Sequence, residues 1–127
     1  MTTAPGASAT VVHLVGSGDT ARALGSGDLD VLGTPRLVAW CEQATVAALG
    51  ALDESRTSVG TRIDVTHERA STVGAEVTVR ADLVHRDGRL LRFDVVAEQE
   101  SAGAVVVVAR GQVTRVVVDR ARFLARL

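Results

Sequence analysis

One stretch constrains this chain more than any other. Residues 31–52, VLGTPRLVAWCEQATVAALGAL, read as a single long helix with almost no polar side. Between Pro35 and Leu52 only Arg36, Glu42 and Gln43 carry charged or amide side chains. A helix that is apolar on every face is normally wrapped by protein. At the standard rise it would run roughly 27 Å, enough to cross a small domain. Thr34 is placed to cap the first turn, and Pro35 sits where its missing N–H does no harm. Gly50, or Asp53 shortly after, ends the run.

Glu42 is the odd residue of this helix. Its neighbours at helical spacing are Val38, Ala39, Thr45 and Val46, so a carboxylate sits on an apolar face and needs a partner there. The rest of the chain supplies the wrapping. Residues 1–9 read as a small, polar, disordered tail, and residues 10–127 as a single domain. TVVHLV at 10–15 is an expected edge strand. Residues 16–30, GSGDTARALGSGDLD, form a glycine-rich loop with one helical turn expected at 19–24, capped by Asp19. A loop placed just before the long helix suits a lid over a pocket.

Four β-like segments follow the helix. They span residues 59–67, 73–85, 90–100 and 104–118. In the first, Val59, Thr61, Ile63, Val65 and His67 alternate onto one face; in the second, Val73 through Leu83 do the same. Asp87-Gly88 is a hairpin signal, and Gly111 inside the last segment marks a bulge or a close approach. Residues 119–127 end in an expected helical turn. The resulting fold class is α+β: a long helix wrapped by a curved antiparallel sheet. One sheet covers one side of a helix, yet this helix is apolar all round, so a homodimer is expected.

The bulk numbers exclude several functions. A chain of 127 residues with 46% apolar residues is one globular domain. A net charge of −1 gives no electrostatic footprint for nucleic acid or an anionic membrane. The one cysteine, Cys41, rules out an internal disulfide and cysteine-based metal sites. The first ten residues lack a signal peptide's basic and apolar regions, so a cytoplasmic location is expected.

Few residues are able to carry chemistry. His85 adjoins the Asp87-Gly88 turn and reads as solvated. His13, in the first strand, reads as structural or exposed. His67 ends a strand in phase with its apolar face, either as a core-edge histidine bonded to backbone or as a base. Thr34 reads first as a helix cap, though its hydroxyl and the helix N-terminus also suit a ligand oxygen that becomes negative. Glu42 reads as a buried acid paired with an arginine, and Cys41 as packing.

Four segments together carry a resemblance: VLGTPRLVAWCEQA, TSVGTRIDVTHERASTVG, DGRLLRFDVVAEQE and RGQVTRVVVDRARF. The chain resembles the hotdog-fold thioesterases related to fluoroacetyl-CoA thioesterase, from about Val12 to Phe123. The specific parts are Thr-Pro followed eight residues later by Glu, and Val-Gly-Thr opening a strand that ends in His. The resemblance implies the hotdog fold, a dimer with active sites near the subunit interface, and hydrolysis of acyl-CoA thioesters. It implies a catalytic set of Thr34, Glu42 and His67, with Gly60 and Arg115 as substrate-binding residues. In that set Glu42 would orient His67, and His67 would act as general base on the Thr34 hydroxyl or on a water. Thr34 as nucleophile and Thr34 as orienter both remain open. No cofactor and no metal are implied.

The family's lid carries aromatic residues, and residues 16–30 contain none. The resemblance therefore points to a small or medium acyl-CoA rather than fluoroacetyl-CoA. The alternatives are a non-catalytic hotdog protein that binds acyl-CoA or another small ligand, and a hotdog hydratase, which would need an Asp/His pair that is not found.

Overall fold

The structure, a computed structural model, describes residues 6–127. Its element order is β1 (Ser8–Leu14), a 3₁₀ turn (Ser17–Asp19), α1 (Ala21–Leu24), α2 (Thr34–Leu49), β2 (Arg56–His67), β3 (Glu76–Asp87), β4 (Leu90–Ser101), β5 (Ala104–Asp119) and α3 (Arg120–Ala125). Of the tail expected at residues 1–9, residues 1–5 lie outside the described residues, and Ser8 already opens β1. Among the described residues no helix is long and apolar enough to cross a membrane.

The five strands form one antiparallel sheet in the order β1-β3-β4-β5-β2. Alternation decides its inner face. Val77, Val79, Ala81 and Leu83 of β3 and Leu91, Phe93, Val95 and Ala97 of β4 are all buried, while the residues between them turn outward. Against this face α2 lays Leu37, Trp40, Cys41, Ala44, Thr45, Ala48 and Leu49. Each fully buried Leu or Phe here contributes about 1.5–3 kcal/mol. Register shifts at Gly60/Arg62, Leu83/His85 and Ala97/Glu98 curve the long strands around the helix.

The shift at Gly60/Arg62 corrects the expected phase of β2. Ser58 and Gly60 pair with Val117 and Arg115, and after the shift Ile63 pairs with Val113. Those β5 partners are buried on the helix side. Ser58, Gly60, Ile63, Val65 and His67 therefore share the inner face, and Val59 lies on the other. The extra residue in the bulge reverses the alternation, which a period-two reading cannot register. At Gly111 the expected close approach is present: a Cβ there would collide with the backbone of Asp64 and Val65.

The long helix also differs from expectation. It spans 16 residues, and within one chain it is covered on one side only. Ala39, Gln43 and Ala47 are exposed, and so is Val46 at 49%. Ile63, on the neighbouring inner face of β2, is 38% exposed. β2 is the last strand of the sheet, so among the described residues its outer edge is unpaired. An apolar helix face thus lies beside an open strand edge.

Candidate active site

The segment before α2 is stitched down rather than free. Thr20 bridges Leu32, and Val31 bridges Thr72. Ala21 N–H donates to Val31 O at 2.8 Å, Leu32 N–H to Ser71 O at 2.8 Å, and Gly33 N–H to Asp19 O at 2.9 Å. Asp19 Oδ1 lies 2.9 Å from Arg36 Nε, an ion pair between the 3₁₀ turn and the first turn of α2. The helical turn α1 is capped by Thr20, whose Oγ1 accepts from Ala23 N–H at 3.1 Å. Asp19, the expected cap, instead accepts from Gly16 N–H and closes the preceding 3₁₀ turn.

The start of α2 holds the main correction to the reading of Thr34. Gly33 is the N-cap, with no side-chain cap bond, and Thr34 is already the first helical residue. The N–H groups of Arg36 and Leu37 both donate to Gly33 O at 3.1 Å. A Cβ at position 33 would press on Leu24 Cδ1 at 3.0 Å and on the Ala21 backbone at 3.1 Å, so the tight lid contact favours glycine there. The Thr34 hydroxyl is left free for another partner. It lies 2.8 Å from His67 Nδ1.

His67 reaches this position because it ends β2 on the inner face, where the chain leaves the sheet. Glu68 N–H and Arg69 N–H both donate to Val108 O, at 2.7 and 3.2 Å, and hold that exit. Burial lowers the His67 pKa below its usual 6.5, against a smaller opposing pull from the Arg69 backbone. The imidazole is therefore neutral at pH 7 and able to accept a proton. Its Nε2 is buried with no partner among the described residues. Thr34 and His67 open onto a cavity of about 280 Å³, lined also by Ala21 and Ser26 of the lid, by Val31 and Leu32 before α2, and by Glu68, Arg69 and Ala70. Sequence reasoning placed Ala21 and Ser26 within the expected lid at 16–30 and missed Val31, Leu32, Glu68, Arg69 and Ala70 as lining residues. Their one signal was position: the last three directly follow His67.

Glu42, Gly60 and Arg115 form a second cluster. Arg115 Nη1 lies 3.3 Å from Glu42 Oε2, and the same guanidinium donates to Ser58 Oγ at 2.9 Å and Ser58 O at 3.2 Å. Its side chain is 8% exposed, while that of Glu42 is 38% exposed. Gly60 makes room for this pair, because a Cβ there would collide with Glu42 Oε2. No hydrogen bond or ion pair joins Glu42 to His67. Eight residues of helix separate Thr34 from Glu42, about 12 Å along the axis. Within one chain the expected Glu42–His67 contact is therefore absent, and Glu42 is held by Arg115 instead.

The remaining candidates take other places. His13 stacks flat on Trp40, with ring centroids 4.3 Å apart, and joins neither cluster. His85 is exposed beside its turn. Burial, then the Glu42 charge, pushes the Cys41 thiol up to about 11, so it stays protonated and inert at neutral pH.

Comparison with known proteins identifies the family and the fold. The model of the FlK family, fluoroacetyl-CoA-specific thioesterase, matches residues 15–121. A solved structure of the fluoroacetyl-CoA thioesterase FlK superposes with a TM-score of 0.87 at 29% identity, covering 99% of this chain and 96% of that one. A variant of FlK in complex with fluoroacetate and CoA superposes with a TM-score of 0.84 at 30% identity, covering 95% and 99%. A hot-dog-like protein from Thermanaerovibrio acidaminovorans shares the fold, with a TM-score of 0.85 at 24% identity over 96% and 88% of the two chains. No curated protein sequence gave a significant match. The chain belongs to the fluoroacetyl-CoA-specific thioesterase family, and it is a hotdog-fold hydrolase of acyl-CoA thioesters.

Proposed function

We propose that the chain hydrolyses a small or medium acyl-CoA, with Thr34 and His67 at the reacting carbonyl. The observation that carries this reading is the 2.8 Å approach of Thr34 Oγ1 to His67 Nδ1 by a hydroxyl that caps nothing. In the Nε2–H tautomer, Nδ1 accepts from the Thr34 hydroxyl. Oγ1 adds to the thioester carbonyl as its proton passes to Nδ1. The tetrahedral oxyanion collapses, expels the thiolate, and the thiolate takes the proton from His67. A water then hydrolyses the acyl ester with the same base. The oxyanion faces the positive end of α2. Arg36 and Leu37 spend their N–H groups on Gly33, and Pro35 has none, which leaves the Thr34 N–H to receive it. The lid and the residues before α2 contribute Ala21, Val31 and Leu32 and no aromatic ring, which favours a plain aliphatic acyl group.

The second cluster enters through a homodimer. The apolar strip of α2 beside the open edge of β2 supports pairing of β2 with its copy. Antiparallel pairing about a two-fold axis reverses the strand. The half of β2 that carries Gly60 in one subunit then faces the half that ends in His67 in the other, and in this reading Glu42, Gly60 and Arg115 complete the partner's site. Glu42 thus keeps its catalytic assignment, and Gly60 and Arg115 their substrate-binding one, across the interface. The buried lone thiol of Cys41 fits a reducing cytoplasm.

The test is release of free thiol from a panel of acyl-CoAs, acetyl to palmitoyl and including fluoroacetyl, by wild type and His67→Ala. Turnover on short and medium chains, lost in the variant, is expected. Equal rates for the two proteins would refute the assignment of His67.

A further inference from the structure

At the end of the sheet remote from Thr34 lies a second polar cavity, of about 230 Å³. Ser55, Arg56, Val117 and Asp119 line it, with Arg89 from the β3–β4 turn and Arg122 from α3. Three arginines from separate parts of the chain converge here. Arg56 is held by Asp53 at 2.8 Å. Asp119 is engaged by the Arg122 N–H at 2.9 Å as the cap of α3. The guanidiniums of Arg89 and Arg122 have no hydrogen-bond or ion-pair partner among the described residues. Their positions are nevertheless defined. Arg89 occupies a two-residue turn closed by Gly88 in the left-handed region, and its carbonyl accepts from Val117 N–H at 2.9 Å. Two uncommitted guanidiniums on fixed backbone suit a doubly charged oxyanion such as phosphate.

We infer that this cavity is a phosphate subsite, and that it holds the phosphate end of a CoA thioester whose acyl group reacts in the partner subunit. The inference rests on the thioesterase and homodimer reading above. In that pairing the half of β2 that carries Gly60 in one subunit faces the half that ends in His67 in the other. Continuing outward along the same strand, Arg56 lies four residues beyond Gly60, about 13 Å. The order from the reacting carbonyl is then Thr34 and His67 of one chain, Glu42, Gly60 and Arg115 of its partner, and Arg56, Arg89 and Arg122 of that partner. This matches the order of acyl group, pantetheine arm and phosphates in an acyl-CoA. It favours a free CoA thioester over an acyl group on a carrier protein, whose pantetheine lacks the nucleotide phosphates.

The experiment compares wild type with an Arg89→Gln/Arg122→Gln double variant. Both residues are exposed, so the fold is expected to persist. The KM for acyl-CoA should rise about tenfold or more, while kcat and the hydrolysis of the matching acyl-pantetheine stay unchanged. Equal changes on both substrates, or none, would overturn the subsite. Titration with CoA alone separates this inference from the reading it rests on. If neither protein hydrolyses any thioester but only the wild type binds CoA, the subsite stands and the thioesterase reading falls. If both bind CoA equally, the subsite falls.

Mixed dimers test the crossing between subunits. A dimer of one Thr34→Val chain and one double-variant chain contains one intact site when the arginines act on the partner. Activity at low acyl-CoA should then recover above that of either parent. No recovery would overturn the placement across the interface.

Discussion

Replacing Thr34 by valine removes one hydroxyl and keeps the branched shape. The structure separates two consequences. If Thr34 capped α2, the change would cost the helix about 1 kcal/mol or more, as loss of a cap does. Thr34 is instead the first helical residue, and its hydroxyl faces His67 Nδ1 at 2.8 Å. The loss is one hydrogen bond between half-exposed groups, about 0.5–1.5 kcal/mol. For a domain of this size that lowers Tm by roughly 2–7 °C. Catalysis should suffer far more. Removing the group on which a general base acts costs about 10²–10⁴ in rate, equivalent to roughly 2.7–5.4 kcal/mol of transition-state stabilisation. The assay is free-thiol release under kcat/KM conditions, paired with a thermal melt of the same preparation. A variant that keeps its rate within about threefold of wild type would refute the role of the 2.8 Å contact. Thr34→Ser retains the hydroxyl and should recover most of the rate.

Four further outcomes are expected. Partial burial holds the His67 pKa below 6.5, so the acidic limb of the kcat/KM profile should fall below pH 6.5; a limb above that value would contradict the partly desolvated imidazole. The same depression makes the unfolded chain bind a proton first, so stability should decline as pH drops from 6.5 through the folded-state value, which denaturant melts at several pH values would follow. Glu42→Gln leaves Arg115 without its countercharge but with both Ser58 contacts. Because Glu42 is 38% exposed, the cost should fall at about 1–2 kcal/mol, between an exposed and a buried pair, read as a Tm lower by roughly 3–10 °C. Gly33→Ala must push a Cβ against the Ala21 backbone at 3.1 Å, an overpacking of about 1–3 kcal/mol that should loosen the lid; faster proteolytic cleavage within residues 16–30 would report it, and an unchanged cleavage rate would count against the tight contact.

Much of the fold was legible without coordinates. The apolar run at 31–52, the Asp87-Gly88 turn and the alternation of Val77, Val79, Ala81 and Leu83 depend on local periodicity and backbone chemistry, although Val73, expected on the same face, lies exposed before β3. The helix, the hairpin and the buried face of β3 all follow from them. The likeness of the Thr-Pro and strand-His segments to a thioesterase family was legible too, because it rests on residue identity at fixed spacing.

Other features were decided by contacts between distant segments. The bulge at Gly60/Arg62 moved Val59 off the inner face, since register depends on β5 and not on β2 alone. The lid packs closely against Gly33, which holds the cap position, and the Thr34 hydroxyl is thereby left to His67. Glu42 went to Arg115, 73 residues away, rather than to His67, because eight residues of helix place it two turns from Thr34. Sequence by itself determined which elements form and which side chains are able to react, since propensity and patterning act over a few residues. Only the tertiary structure decided which reactive groups meet, since that depends on packing between segments separated by most of the chain.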